Sequence, residues 1–184
     1  MKSNLMIAID FVEGKTKGRS AHMSIGRGDF ENKPVTLLMS YTTPIVTRIS
    51  PEEYIFDTTR YSHTTEGKHK QSFKKAVITY NSQQSKNIKI WGIPDGSPSN
   101  LTRYVEDFIN QMSLMKRVPQ KKVSELVLQF KYLEEVQNRF KINIVFTNIN
   151  SEAFTKMLEN KLPKELTGKI FRSILIYKLR NNVL

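Results

Sequence analysis

The hydrophobic pattern of this chain changes period once, at PDGSPSN (94–100), and that change restricts the fold more than composition does. Before it, short apolar runs alternate with clusters of turn formers, the signature of strands. LMIAIDFV (5–12) and AHMSI (21–25) flank GKTKGRS and read as a hairpin, with GRGDFENKP as a second turn. VTLLMSY (35–41), IVTRIS (45–50) and EYIFD (53–57) continue the series, the last two joined by Ser50-Pro51-Glu52-Glu53. AVITYN (76–81) and NIKIWGI (87–93) complete it.

Beyond the turn-rich segment the spacing is helical. Leu101, Tyr104, Val105, Phe108, Ile109, Met112 and Met115 recur at three and four residues, which predicts a helix over 100–116 with Ser99 as its cap. Pro119 opens a second helix, with Val123, Leu126, Val127, Phe130, Leu133, Val136 and Phe140 on one face. INIVFTN (142–148) reads as a strand, Ser151 caps a third helix that Pro163 stops, and the tail from 168 fits a helix or a strand. The expected class is α+β: an N-terminal, mostly antiparallel sheet followed by a helical C-terminal half. The expected parts are a β-rich basic stretch, 1–93, and a helical stretch with one or two strands, 94–184, forming one compact unit.

Composition removes several kinds of chemistry. With no cysteine there are no disulfides, zinc ribbons or thiol nucleophiles, which suits a reducing compartment. No apolar run approaches the roughly 18 residues of a membrane span, and MKSNLMIAIDF meets an aspartate too early for a signal peptide. The expectation is a soluble protein in the cytoplasm of a bacterial host, with no membrane partner.

Charge points to a polyanion. With 29 Lys+Arg against 17 Asp+Glu the formal net charge is +12 and the pI about 9.8. Each phosphate neutralised by such a surface releases condensed counterions, so a strong excess of this sign favours nucleic acid. The densest basic stretch holds Arg60, Lys68, Lys70, Lys74, Lys75, Lys86 and Lys89 against Glu66 alone. Tyr61, Phe73, Tyr80 and Trp91 are interleaved with it, as base stacking would require, although each taken singly is better read as core.

Catalytic patterns are thinner. His22-Met23-Ser24 and His63-Thr64-Thr65 each place a hydroxyl two residues after an imidazole, similar to the H-x-S/T pairs of two-histidine phosphoesterases. His22, Ser24, His63 and Thr65 are therefore the catalytic candidates, but the second pair lies in a polar stretch that reads as a loop. The expected roles are packing for His22 on a strand and exposure for His63. Asp10, Asp29 and Asp57 lie near strand ends without D-x-D or E-x-K spacing, and no phosphate-loop motif accompanies the GRG at 26–28. His63 and His69 lack a third ligand nearby, so neither a metal nor another cofactor is expected.

The segment from Ser40 to Phe73 resembles one found in small uncharacterised phage and prophage proteins. Its elements here are Ser40-Tyr41-Thr42-Thr43-Pro44-Ile45, Tyr61-Ser62-His63-Thr64-Thr65 and Lys68-His69-Lys70-Gln71, matching the form Y-x-T-x-I, hairpin, Y-S-x-T-T-x-x-H. Gly67 makes the interval from Thr65 to His69 one residue longer than that form. The resemblance implies a phage origin and no particular activity. With the charge, it supports a non-enzymatic binder of DNA or RNA, or of a host CRISPR-type nuclease complex carrying it, hence an anti-CRISPR or anti-defence inhibitor. In this reading 61–75 is a phosphate-gripping loop: Ser62, Thr64 and Thr65 donate hydrogen bonds, and the lysines, with Arg60 and Tyr61, complete the surface. The alternatives are a phosphoesterase acting on a nucleotide defence signal and a structural phage component that dimerises through its helices.

Overall fold

The computed structural model describes residues 1–85 and 87–142. The chain divides into two compact units, Met1–Gly96 and Ser97–Leu184. Ser3 starts the first: its Oγ accepts a hydrogen bond from Met6 N at 3.2 Å, satisfying one of the amides that a helix start leaves open. The helix α1 (Asn4–Val12) buries Ile7, Ala8, Phe11 and Val12, one helical face, while Leu5 and Met6 stay outside. LMIAIDFV is therefore a helix and not the expected strand. Its β-branched and aromatic content favours extension, but burial follows helical spacing and the Ser3 cap fixes the start.

Six strands follow in simple order: β1 (Gly18–Arg19), β2 (Met23–Phe30), β3 (Lys33–Ser40), β4 (Thr43–Ser50), β5 (Glu53–Asp57) and β6 (Lys89–Ile93). The first five are antiparallel neighbours joined by tight turns. Within GRGDFENKP the strand runs on through Phe30 and only Glu31-Asn32 turns, both at positive φ, the backbone whose twist suits a two-residue hairpin. β5 and β6 are parallel, which demands a crossover. A helix supplies it: a π-helical turn, Thr65–Lys70, runs into α2 (Gln71–Gln84). The loop expected at 61–75 and the strand expected at 76–81 are corrected to this helix.

Both helices contribute to one core with the sheet. Phe11 and Val12 of α1, Phe73 and Val77 of α2, and Met23, Leu38, Val46 and Tyr54 of the strands are all buried in it. Tyr54 stands at its centre, with ring centroids 5.8 Å from Phe11 and 5.9 Å from Phe73, and its hydroxyl donates to Val12 O at 3.2 Å. Buried aromatic rings at such spacings tie α1 and α2 to the strands through the core they share.

In the second unit, α3 (Asn100–Ser113) buries Leu101, Val105, Ile109 and Met112, and α4 (Gln120–Phe140) buries Val123, Leu126, Phe130, Leu133, Val136 and Phe140. Ser99 does not cap α3 with its side chain; its Oγ lies 2.9 Å from Ser97 Oγ. The strand, third helix and tail expected from 143 onward lie outside the described residues. The architecture is α+β, a mostly antiparallel sheet followed by helices, and no helix among the described residues is long and apolar enough to cross a membrane.

Candidate nucleic-acid interface

Sheet register creates the most unusual corner of the first unit. Pairing of Met23 with Ser40 brings His22, just before β2, beside Tyr41, just after β3, and Tyr41 N donates to His22 O at 2.8 Å. The π turn then presents His69 to the same place. Its ring lies 5.4 Å from that of Tyr41 and 6.3 Å from that of His22. His69 is fully buried, its Nδ1 2.6 Å from Ser40 Oγ, and Ser40 Oγ lies 3.0 Å from Thr65 Oγ1, which in turn lies 3.3 Å from Ser62 Oγ. A hydroxyl chain thus runs from exposed Ser62 to a buried imidazole.

The far side of that imidazole is different. His69 Nε2 is buried with no hydrogen-bond partner among the described residues. Burial, and then the electrostatic influence of His22 and Lys68, hold the His69 pKa below the ordinary histidine value, which favours the neutral ring. Thr65, Gly67 and His69 all lie in the π turn, which is wider than an α turn. From it Thr65 and His69 both reach Ser40.

One residue further on, Lys70 is buried as well, and completely satisfied. Its Nζ donates to Thr59 O at 2.5 Å and Glu66 Oε1 at 2.7 Å, and lies over the rings of Tyr61 and Phe56 at 4.9 and 5.5 Å. Burial raises the Glu66 pKa, but the Lys70 and Tyr61 N–H hydrogen bonds and the charges of Lys70 and Lys74 outweigh it, leaving the carboxyl below its usual value. The Tyr61 hydroxyl donates to buried Asp57 at 2.5 Å; burial first, then that carboxylate, push its pKa well above that of an ordinary phenol.

The predicted phosphate grip therefore splits. Thr65 and Lys70 are buried and committed to internal partners, so neither reaches a phosphate, and Tyr61 is half-buried beneath Lys70. Arg60, Ser62, Lys68, Lys74, Lys75 and Lys89 are exposed, Thr64 is partly so, and Lys86 lies outside the described residues. Lys74 rests its ammonium 5.3 Å from the Phe56 ring, and Lys89 lies 4.3 Å from that of Trp91. Phe73 and Trp91 are core residues.

The catalytic candidates are also redistributed. His22 precedes β2 and is exposed, contrary to the strand residue with a packing role that was expected; its ring neighbours are Tyr41 and His69. His63 is exposed in the first helical turn, where its ring faces Gly67, and it makes no ring contact with His22. Ser24, on β2, pairs with Met39 and takes no part in the cluster. Asp10 is bound by Lys2 and Lys15, and no group of three or more metal-ligating His, Asp or Glu occurs among the described residues. The sequence pattern did not mark Ser40 and Tyr41 as site residues, since only sheet register and the crossover bring them to His22 and His69. No family model matches this chain, and neither the curated proteins nor the solved structures give a match.

Proposed function

We propose that this chain is a non-enzymatic binder of nucleic acid, or of a nuclease carrying it, which meets phosphate with the exposed cations between β5 and the end of α2. One observation carries the reading. Glu66 is the only acid between Asp57 and Asp95, and buried Lys70 already engages it, so exposed Arg60, Lys68, Lys74 and Lys75 face solvent with no acid of that stretch left to pair them. Solvated like charges of this density raise the local concentration of any polyanion. The phage resemblance of Ser40–Phe73 adds support for one occupation, stoichiometric inhibition of a host CRISPR-type nuclease. The phosphoesterase alternative would need His22 and His63 to face one phosphate, and both side chains are exposed.

Fluorescence anisotropy against salt tests it. Binding of labelled DNA should weaken steeply with salt, and replacing Arg60, Lys68, Lys74 and Lys75 by alanine should lower the log–log slope by about three to four, near one unit for each phosphate no longer neutralised. An equal reduction per residue on replacing Lys121 and Lys122 would show diffuse charge with no defined grip. Absence of binding at micromolar protein and low salt would reject nucleic acid as the partner.

A further inference from the structure

Tyr41 has features that a hairpin turn does not require. Its φ is +55°, a conformation that costs a bulky residue roughly 1–3 kcal/mol and that Gly or Asn adopts more readily. The residue is 53% exposed. Its backbone is tied to exposed His22 by the 2.8 Å hydrogen bond, and the two rings lie 5.2 Å apart at 44°. His22 is itself anchored, because Ser20 Oγ accepts from His22 N at 3.3 Å and from Met23 N at 2.9 Å. Two rings are thus held toward solvent by fixed backbone at the price of local strain.

Beneath them lies the second anomaly. His69 Nε2 is a buried polar atom with no partner, an arrangement that native proteins seldom leave without a ligand, water or functional reason. Exposed Lys68, adjacent in sequence, is close enough for its charge to act on the His69 ring. Exposed rings, a neighbouring cation and an unmet hydrogen-bonding atom therefore share one corner.

We propose that this corner is a base-stacking subsite, in which one unpaired base of a single-stranded nucleic acid lies on Tyr41 and His22 while Lys68 meets the adjoining phosphate. This rests on the binding function above and specifies the form of nucleic acid preferred. Any base offers a π face, so the subsite tolerates sequence, whereas bases inside a duplex are already stacked and cannot use it.

The test compares oligo-dT with a duplex of equal length, using wild type, Tyr41→Phe and Tyr41→Asn. Wild type should prefer the single strand, and Tyr41→Asn should lose about ten-fold of that affinity, the loss of one stacked base, without changing duplex binding. Tyr41→Phe should retain the preference. The melting temperature of Tyr41→Asn should hold or rise, since asparagine tolerates positive φ; a purely structural tyrosine would lower it. Equal binding of strand and duplex, with Tyr41→Asn neutral, overturns the subsite and leaves the phosphate grip standing. Failure to bind either form overturns both.

Discussion

His69 and Lys70 are consecutive, both buried, and solved in opposite ways. The lysine has a carboxylate, a carbonyl and two aromatic faces around its ammonium; the histidine has one hydroxyl and a bare nitrogen. The difference follows from charge. A buried cation without full compensation costs several kcal/mol, whereas a neutral imidazole with one unmet atom costs about 1–3 kcal/mol. Lys70 therefore belongs to the scaffold, and the corner with energy left to gain from a ligand is that of His69.

Breaking the lysine side should have the largest effect. Glu66→Ala leaves the Lys70 ammonium buried with Thr59 O as its remaining acceptor, and should cost about 3 kcal/mol in urea unfolding. Lys70→Met should cost less, because it keeps most of the stem's volume and leaves behind Glu66, whose side chain is 38% exposed and finds water. If Lys70→Met is the worse of the two, the network is held by packing and not by charge.

On the histidine side, Ser40→Ala removes the hydroxyl that lies 2.6 Å from His69 Nδ1 and should cost about 2 kcal/mol. In a His69→Leu background the same change should cost markedly less, since the imidazole that needed Ser40 is gone. Additive effects would mean that Ser40 acts through Thr65 alone.

The same pair explains what could be read from sequence. β3 to β6 were legible as apolar runs bounded by turn formers, and α3 and α4 because their apolar residues keep the helical period. The helix of the crossover was not, because Thr65, His69 and Lys70 are polar residues in buried positions and hide the stripe that Phe73, Ala76 and Val77 continue. In α1 the Ser3 cap was the readable sign, masked by β-branched neighbours. Of the candidate site, the exposed cations could be seen in the charge pattern. Ser40 and His69 could not be paired, since sheet register and crossover geometry unite them across 29 residues.

A smaller effect should appear in the pH dependence. Because the His69 pKa is lowered in the folded protein, the unfolded histidine binds a proton more readily. Its contribution to stability is complete above the unfolded pKa of about 6.5 and is lost as pH falls through the lower folded value, at no more than about 1.4 kcal/mol per pH unit. Asp10 and Glu66, also lowered, act in the carboxylate range further down. Unfolding measured below pH 6.5 should therefore show a slope in wild type that is absent in His69→Gln. An unchanged slope would place the titration elsewhere.

The smallest effect concerns the turn that sets both residues inward. Gly67 lies in the π turn outside the positive-φ region, and a Cβ built on it meets His63 Cε1 at 3.7 Å and Nε2 at 3.8 Å, normal contacts with an exposed side chain. Nothing in its surroundings demands glycine, while glycine enlarges the freedom of the unfolded chain. Gly67→Ala should therefore stabilise the protein by about 0.5–1 kcal/mol, with the Ser40–His69 hydrogen bond and the salt dependence of binding unchanged. A drop in stability would mean that the π turn needs the glycine backbone itself.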